Sequence, residues 1–239
     1  MRLVDCRSPN QDQRPTGAAI DMLVLHYTGM KTADEALARL CDPGAKVSAH
    51  YTVGTDGRVF FHVPEERRAW HAGVSYWAGQ TNVNACSVGI ELVNPGHEFG
   101  YVPFAQAQIA ALIDLARGIL SRHPIPPNRV LGHSDVAPAR KTDPGELFPW
   151  QHLAEFGIGA WPNPVSPRRG GAEAQQALKV GADSTDVAGR LARYGYGLPP
   201  YTDVSLESVI TAFQRHFRPS AVNGRWDGEC DAALAGLLA

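Results

Sequence analysis

Apolar and polar positions predict alternating strands and helices in the first two thirds of the chain. Short apolar runs at 22–25 and 87–93 are typical of buried strands, and 129–132 predicts another. The run at 22–25 delivers His26 at its end, and the run at 129–132 delivers His133. Between the last two runs, apolar residues recur at the i, i+3, i+4, i+7 spacing of an amphipathic helix. These residues are Ile109, Leu112, Ile113, Ala116, Ile119 and Leu120.

Two further local signals complete this part. Residues 33–40 predict a short helix, and the glycine-flanked segment 54–57 predicts a tight turn between strands at 49–53 and 58–63. The combination predicts an α/β fold with a mixed central β-sheet flanked by helices.

A change of pattern divides the chain. Residues 157–171 contain four glycines and three prolines without an apolar period, which is typical of a linker. Beyond it only helical patterns follow, with Ser184 and Ser205 as predicted N-caps. We therefore predict a first domain at 1–162, a linker at 163–171 and a small all-α domain at 172–239. A bundle of that size is marginally stable alone, so we expect it to pack on its neighbour or to act as a docking module.

Composition and charge exclude several classes of protein. The 239 residues are 44% hydrophobic and 19% charged, which excludes disorder over the whole chain. A net charge of −2 gives no basic surplus for general nucleic-acid binding. No apolar run reaches the roughly 20 residues of a membrane span. The N-terminal residues lack the pattern of a signal peptide, which favours the cytoplasm. The alternative is a periplasmic protein whose export signal is not part of the sequence shown.

The four cysteines also favour the cytoplasm. Cys6, Cys41, Cys86 and Cys230 form no close pair in the sequence. This spacing predicts neither a cysteine zinc cluster nor a disulfide framework. We expect reduced, mostly buried thiols.

Three residues carry candidate metal chemistry. His26 and His133 follow apolar runs, and Asp143 comes ten residues after His133. Two imidazoles and one carboxylate can form an open zinc site that keeps one position for water. The alternative, on spacing alone, is that each histidine is an ordinary hydrogen-bonded residue.

Five short motifs in order settle this choice by resemblance. Together they resemble the zinc-dependent N-acetylmuramoyl-L-alanine amidases of the AmpD/AmiD type, which are related to peptidoglycan recognition proteins. The resemblance covers about residues 17–162. The motifs are Leu25-His26-Tyr27-Thr28, Ser48-Ala49-His50-Tyr51, Ala69-Trp70-His71-Ala72-Gly73, Val88-Gly89-Ile90-Glu91, and Gly132-His133-Ser134-Asp135 with Lys141-Thr142-Asp143-Pro144-Gly145.

The resemblance implies a role for each of five residues. His26, His133 and Asp143 match the ligands of one zinc ion per chain. Glu91 matches the acidic residue that takes a proton from the attacking water and returns it to the leaving amine. Lys141 matches the lysine that stabilises the oxyanion. Without the resemblance, Glu91 reads as a strand-end salt bridge and Lys141 as a solvated surface charge.

The resemblance also suggests substrate contacts. Tyr51 matches a tyrosine that lines the groove, although a core tyrosine is an alternative. Trp70 and His71 match a loop near the substrate, with packing as the alternative for Trp70. Asn84 flanks the Glu91 strand and could bind polar groups, although turn formation explains an asparagine there equally well.

The helical region has a resemblance of its own. Residues 212–219 and the glycine-containing turn after them resemble the three-helix peptidoglycan-binding domain of wall hydrolases. Phe213 and Phe217 match core positions of that domain. Wall binding by this region is therefore a hypothesis.

These resemblances imply an enzyme of bacterial peptidoglycan turnover, remodelling or recycling. The reaction is hydrolysis of the amide between N-acetylmuramic acid, or its 1,6-anhydro form, and L-alanine of the stem peptide. The expected partner is peptidoglycan or a muropeptide, with no nucleic acid and no obligate protein partner. The alternative functions are a non-catalytic peptidoglycan recognition protein and a structural protein whose metal site is closed by a fourth protein ligand.

Overall fold

The computed structural model describes residues 3–162 and 184–239. In these ranges the chain forms eight strands and nine α-helices. The strands are β1 (Leu3–Asp5), β2 (Gln11–Gln13), β3 (Met22–Tyr27), β4 (Tyr51–Val53), β5 (Val59–Phe61), β6 (Arg67–Ala69), β7 (Ser87–Leu92) and β8 (Val130–Gly132). The helices are α1 (Ala33–Cys41), α2 (Val83–Cys86), α3 (Gly96–Phe99), α4 (Gln106–Arg122), α5 (His133–Val136), α6 (Trp150–Glu155), α7 (Ser184–Tyr194), α8 (Leu206–Phe217) and α9 (Gly228–Leu238).

Six strands form one mixed sheet in the order β1-β5-β4-β7-β3-β8. Strand β3 is parallel to both β7 and β8, and β4 is parallel to β7. Strands β4 and β5 are antiparallel and joined by the predicted turn, where the Gly54 amide donates to the Arg58 carbonyl at 2.8 Å. The predicted mixed sheet with flanking helices is confirmed. Strands β2 and β6 pair separately as a small antiparallel ribbon.

Strand β3, between β7 and β8, is buried on both faces. Leu23 and Leu25 pack with the apolar side of α4, whereas Met22 and Val24 pack in a second core on the opposite face. Successive side chains of a strand point to opposite faces, so one short run serves both cores. His26 follows the same alternation and lies on the face of the second core.

The C-terminal helices complete that second core. Phe213 and Phe217 are buried, as predicted, and the Ser208 amide donates to the Ser205 hydroxyl at the start of α8, which confirms this cap. Trp77 of the first region packs edge-on against Tyr196, with ring centroids 4.9 Å apart. The helices therefore pack on the first part of the chain, which was one of the two arrangements expected from the sequence.

Some sequence predictions fall beyond these ranges. The linker at 163–171 lies outside the described residues, as does the side chain of Ser184, on which the predicted cap depends. Within the described ranges, no helix combines the length and the apolar character needed to cross a membrane.

Candidate metal centre and active site

The register of three parallel strands gathers the candidate site. His26 of β3 lies directly opposite Glu91 of β7, and Leu25 lies opposite Gly132 of β8. His133 follows Gly132 and begins α5, so it emerges beside His26. Polar side chains at the carboxyl ends of neighbouring parallel strands form the usual binding crevice of such sheets.

The three predicted metal ligands converge on one point. The Nδ1 atoms of His26 and His133 are 3.0 Å apart, and Asp143 Oδ2 lies 3.1 Å from the first and 3.0 Å from the second. All three residues are buried. Ligands of tetrahedral zinc lie about 3.3 Å apart, so this triangle of donors fits such an ion. His133 Nε2 donates to the Ala72 carbonyl at 3.0 Å, which leaves its Nδ1 lone pair free for a metal.

A relay of hydrogen bonds orients His26 in the same way. The Ser87 hydroxyl donates to the Val83 carbonyl at 2.6 Å and accepts from His71 Nε2 at 3.1 Å. His71 Nδ1 then accepts from His26 Nε2 at 3.1 Å. Because each donor is fixed by the next acceptor, His26 keeps the proton on Nε2 and presents Nδ1 to the site.

Burial and the neighbouring charges set the protonation of these ligands. Burial lowers the pKa of His26 to about 4, with the His133 imidazole as a second cause, so His26 is neutral at pH 7. Burial alone would raise the pKa of Asp143, but the two imidazoles hold it well below the ordinary value. A neutral imidazole and an ionised carboxylate are the forms that bind zinc.

Glu91 and Lys141 flank the ligands. Burial, and then the Asp143 carboxylate, raise the pKa of Glu91 well above its ordinary value, and Lys141 opposes this shift. Glu91 Oε2 is buried and has no hydrogen-bond partner among the described residues. A carboxyl group that is half-buried, unpaired and biased towards its protonated form is typical of a general acid–base residue.

These residues lie in a groove of about 400 Å³. His71, Glu91, His133, Lys141 and Asp143 all line it, as do three residues that the sequence analysis missed: Tyr27, Arg39 and Arg140. Arg140 donates to the carbonyls of Ala72 and Val74, both at 2.7 Å. Tyr27 and Arg140 adjoin His26 and Lys141 in the sequence, and that adjacency was the available signal.

The structure corrects the expectation for Tyr51. Its hydroxyl donates to Glu65 at 2.7 Å, and the residue lines a separate cavity. In β4 its side chain belongs to the core against α4, on the sheet face opposite to Glu91. The core alternative therefore describes Tyr51 better than a groove position.

Trp70 and Asn84 are also absent from the residues that line the groove. Asn84 Oδ1 accepts from the backbone amides of His71 and Ala72, at 3.1 and 2.8 Å. It thereby holds the loop that carries His71. The Trp70 amide donates to the Ser48 hydroxyl at 2.9 Å, which anchors the start of the same loop. His71 is the one of the four expected substrate contacts that lines the groove.

Asp135 is a further residue whose role the sequence analysis missed. It is 1% exposed, lies in the helix that begins with His133, and accepts from the Gly132 amide at 2.7 Å. Tyr196 Oη and His216 Nδ1, both from the C-terminal region, also contact its carboxylate at 2.7 Å. The C-terminal region therefore supports the segment that carries His133, a predicted metal ligand.

Comparison with known proteins places this architecture in a family. A family model described as N-acetylmuramoyl-L-alanine amidase matches residues 16–146, which is more than half of the chain. The chain belongs to the N-acetylmuramoyl-L-alanine amidase family. This amidase is 44% identical over 232 residues to the N-acetylmuramoyl-L-alanine amidase AmiD of Escherichia coli, covering 92% of this chain and 82% of AmiD. It is 35% identical over 170 residues to the 1,6-anhydro-N-acetylmuramyl-L-alanine amidase AmpD of Haemophilus influenzae, covering 62% of this chain and 90% of AmpD.

Solved structures agree with the fold. E. coli AmiD in complex with the substrate anhydro-N-acetylmuramic acid-L-Ala-D-γ-Glu-L-Lys superposes with a TM-score of 0.79 at 41% identity, covering 95% of this chain and 92% of AmiD. AmpDh3 of Pseudomonas aeruginosa with anhydromuramic pentapeptide gives a TM-score of 0.81 at 36% identity, covering 94% of each chain. The similarity to both proteins includes the C-terminal helices.

Proposed function

We propose that this amidase hydrolyses the amide between the lactyl group of N-acetylmuramic acid, including its 1,6-anhydro form, and L-alanine of the stem peptide. Three buried donors converge on one point, and two of them, His133 and Asp143, line the same groove as Glu91. This convergence carries the proposal. The anhydromuramoyl peptides bound to AmiD and AmpDh3 support this class of substrate.

We assign His26, His133 and Asp143 as the ligands of one zinc ion. Zinc supplies a Lewis acid that polarises a carbonyl and lowers the pKa of water to about 7. Two imidazoles and a carboxylate leave a coordination position open, because no fourth protein donor joins the cluster among the described residues. An open position distinguishes a catalytic from a structural site.

Glu91 and Lys141 carry the remaining chemistry in this proposal. Glu91 takes a proton from the attacking water and delivers it to the departing alanine nitrogen, for which its raised pKa is suited. Lys141 lies on the wall of the same groove and holds positive charge near the oxyanion that forms. His71 positions His26 through their 3.1 Å hydrogen bond.

The division of labour between the two regions is part of the proposal. We infer that residues 1–162 form the catalytic domain and that 172–239 contact polymeric wall while supporting Asp135. A cytoplasmic location stays a prediction; it favours soluble 1,6-anhydro-muropeptides in recycling, whereas a wall-contacting region favours intact peptidoglycan. The substrate preference therefore also bears on the compartment.

The test is mass-spectrometric analysis of zinc-loaded protein with intact sacculi and, separately, with soluble anhydro-muropeptides. We expect release of free stem peptides that a chelator abolishes and added zinc restores. His133→Ala should lose both zinc and activity, while Glu91→Gln should keep zinc. Binding of either substrate without cleavage, in zinc-replete buffer, would instead support the recognition protein.

A further inference from the structure

Two cysteines that are distant in the sequence meet at the C-terminal end of α1. Cys6 follows β1, Cys41 ends α1, and their sulfur atoms are 3.2 Å apart. Both thiols are half-buried and free. The Cys41 thiol also donates to the Cys6 carbonyl at 3.3 Å. The fold therefore holds the two sulfur atoms together across 35 positions of sequence.

His62 completes a group that resembles a metal site, but its hydrogen bonds disfavour that role. Its Nδ1 lies 2.6 Å from the Cys6 carbonyl, and Nε2 lies 2.8 Å from the Thr52 hydroxyl. A carbonyl only accepts, so Nδ1 carries the proton of the ring. This nitrogen is the one that faces Cys41, at 3.8 Å, and a protonated nitrogen cannot bind a metal. The pair of thiols is left as the reactive feature.

We propose that Cys6 and Cys41 are a disulfide-forming pair that closes when the protein meets a disulfide oxidant. Burial, followed by the neighbouring Cys6, raises the pKa of Cys41 to about 12, which disfavours Cys41 as the first nucleophile. The Cys6 thiolate attacks the oxidant and releases one thiol. Cys41 then loses its proton and displaces the second thiol from the mixed disulfide. In sum, two thiols of the protein are oxidised and one oxidant disulfide is reduced to two thiols.

The bond would fix one wall of the groove. Ala36, Arg39 and Leu40 of α1 line the groove, and Cys41 ends the same helix. Hydrogen bonds already join this end of α1 to the N-terminal segment, because the Ser8 hydroxyl donates to the Leu40 carbonyl at 2.5 Å. A disulfide adds a covalent bond at that junction and reduces the conformational entropy of the unfolded chain.

The experiment uses the full chain, first reduced and then equilibrated with oxidised glutathione. Thiols are counted under denaturing conditions, and peptides are mapped without reductant. We expect the count to fall from four to two, with Cys6 joined to Cys41. The melting temperature should rise by about 5–15 °C on oxidation. Cys86→Ser should keep both effects, and Cys41→Ser and Cys6→Ser should each abolish them.

Three results would overturn the proposal. Four reactive thiols after oxidation would show that the pair does not close. A disulfide that involves Cys86 or Cys230, or that joins two chains, would show a different pairing. A second zinc ion per chain that is lost in Cys41→Ser would show that the group with His62 is a metal site. None of these measurements depends on amidase activity.

Discussion

Gly89 is expected to be required for the orientation of His26, a predicted metal ligand, through the His71 ring that it faces. A Cβ at this position would lie 2.5 Å from Cγ, 2.6 Å from Cδ2 and 2.7 Å from Nδ1 of the His71 ring. Normal carbon contacts lie at about 3.5–4.0 Å, so Gly89→Ala must displace the ring by about 1 Å. The ring cannot move without loss, because each of its nitrogens is hydrogen-bonded at 3.1 Å, one to His26 and the other to Ser87.

The displacement has two measurable costs. Loss of a partner that orients a metal-binding histidine typically weakens metal affinity by about 10–100-fold. Overpacking in a buried sheet costs about 1–3 kcal/mol of unfolding free energy. Zinc affinity is measured by competition with a chromogenic chelator, and stability by denaturation of the zinc-free protein. Gly189→Ala is the control, because a Cβ at that position meets no other atom within 4 Å.

A double-mutant cycle separates this explanation from general damage to the sheet. In His71→Ala the ring is gone, so adding Gly89→Ala should cost little further zinc affinity. The two losses should therefore be strongly non-additive. Wild-type zinc affinity in Gly89→Ala, or additive losses in the double variant, would refute the steric argument.

Three further predictions concern separate parts of the molecule. Glu91→Gln should retain zinc and lose about 10²–10⁴-fold in the rate of stem-peptide release; an unchanged rate would contradict its role in proton transfer. Tyr196→Phe should cost about 1–2 kcal/mol in chemical denaturation, since it removes a buried donor from Asp135. Burial opposes ionisation of Glu65, but the hydrogen bonds that Glu65 accepts from Arg122, Tyr51 and His123 lower the pKa of Glu65 to about 2. Its contribution, about 1–3 kcal/mol, should be complete above about pH 5 and fade towards pH 2, so the melting temperatures of wild type and Glu65→Gln should converge on acidification.

The link between Asp135 and the C-terminal helices changes how that region is understood. The sequence suggested a small bundle that docks elsewhere or packs on its neighbour. In the structure His216 stacks on Trp150, with ring centroids 3.8 Å apart, and contacts Asp135. The bundle thus covers apolar and polar surface of the first part of the chain, and none of its described residues lines the groove.

Local sequence determined much of the fold. The apolar runs at 22–25, 87–93 and 129–132 correspond to β3, β7 and β8, and the helical period at 109–120 lies within α4. Such elements are predictable because period and burial are properties of consecutive residues. Strands β2 (Gln-Asp-Gln) and β6 (Arg-Arg-Ala) are mostly polar, and β1 has only two apolar residues, so no apolar run marks these strands. The metal ligands were named through ordered motifs, and the structure brings them together.

Tertiary structure alone decided which of those residues meet. His26 and His133 are 107 positions apart and become neighbours only because β3 pairs with β8. The same packing places Tyr51 in the core, the alternative that the sequence had left open, and brings Cys6 to Cys41, a pairing that the sequence did not indicate. The physical reason is that local patterns specify an element and its buried face. The order and register of the strands, which set distances between remote side chains, depend on how all the faces pack together.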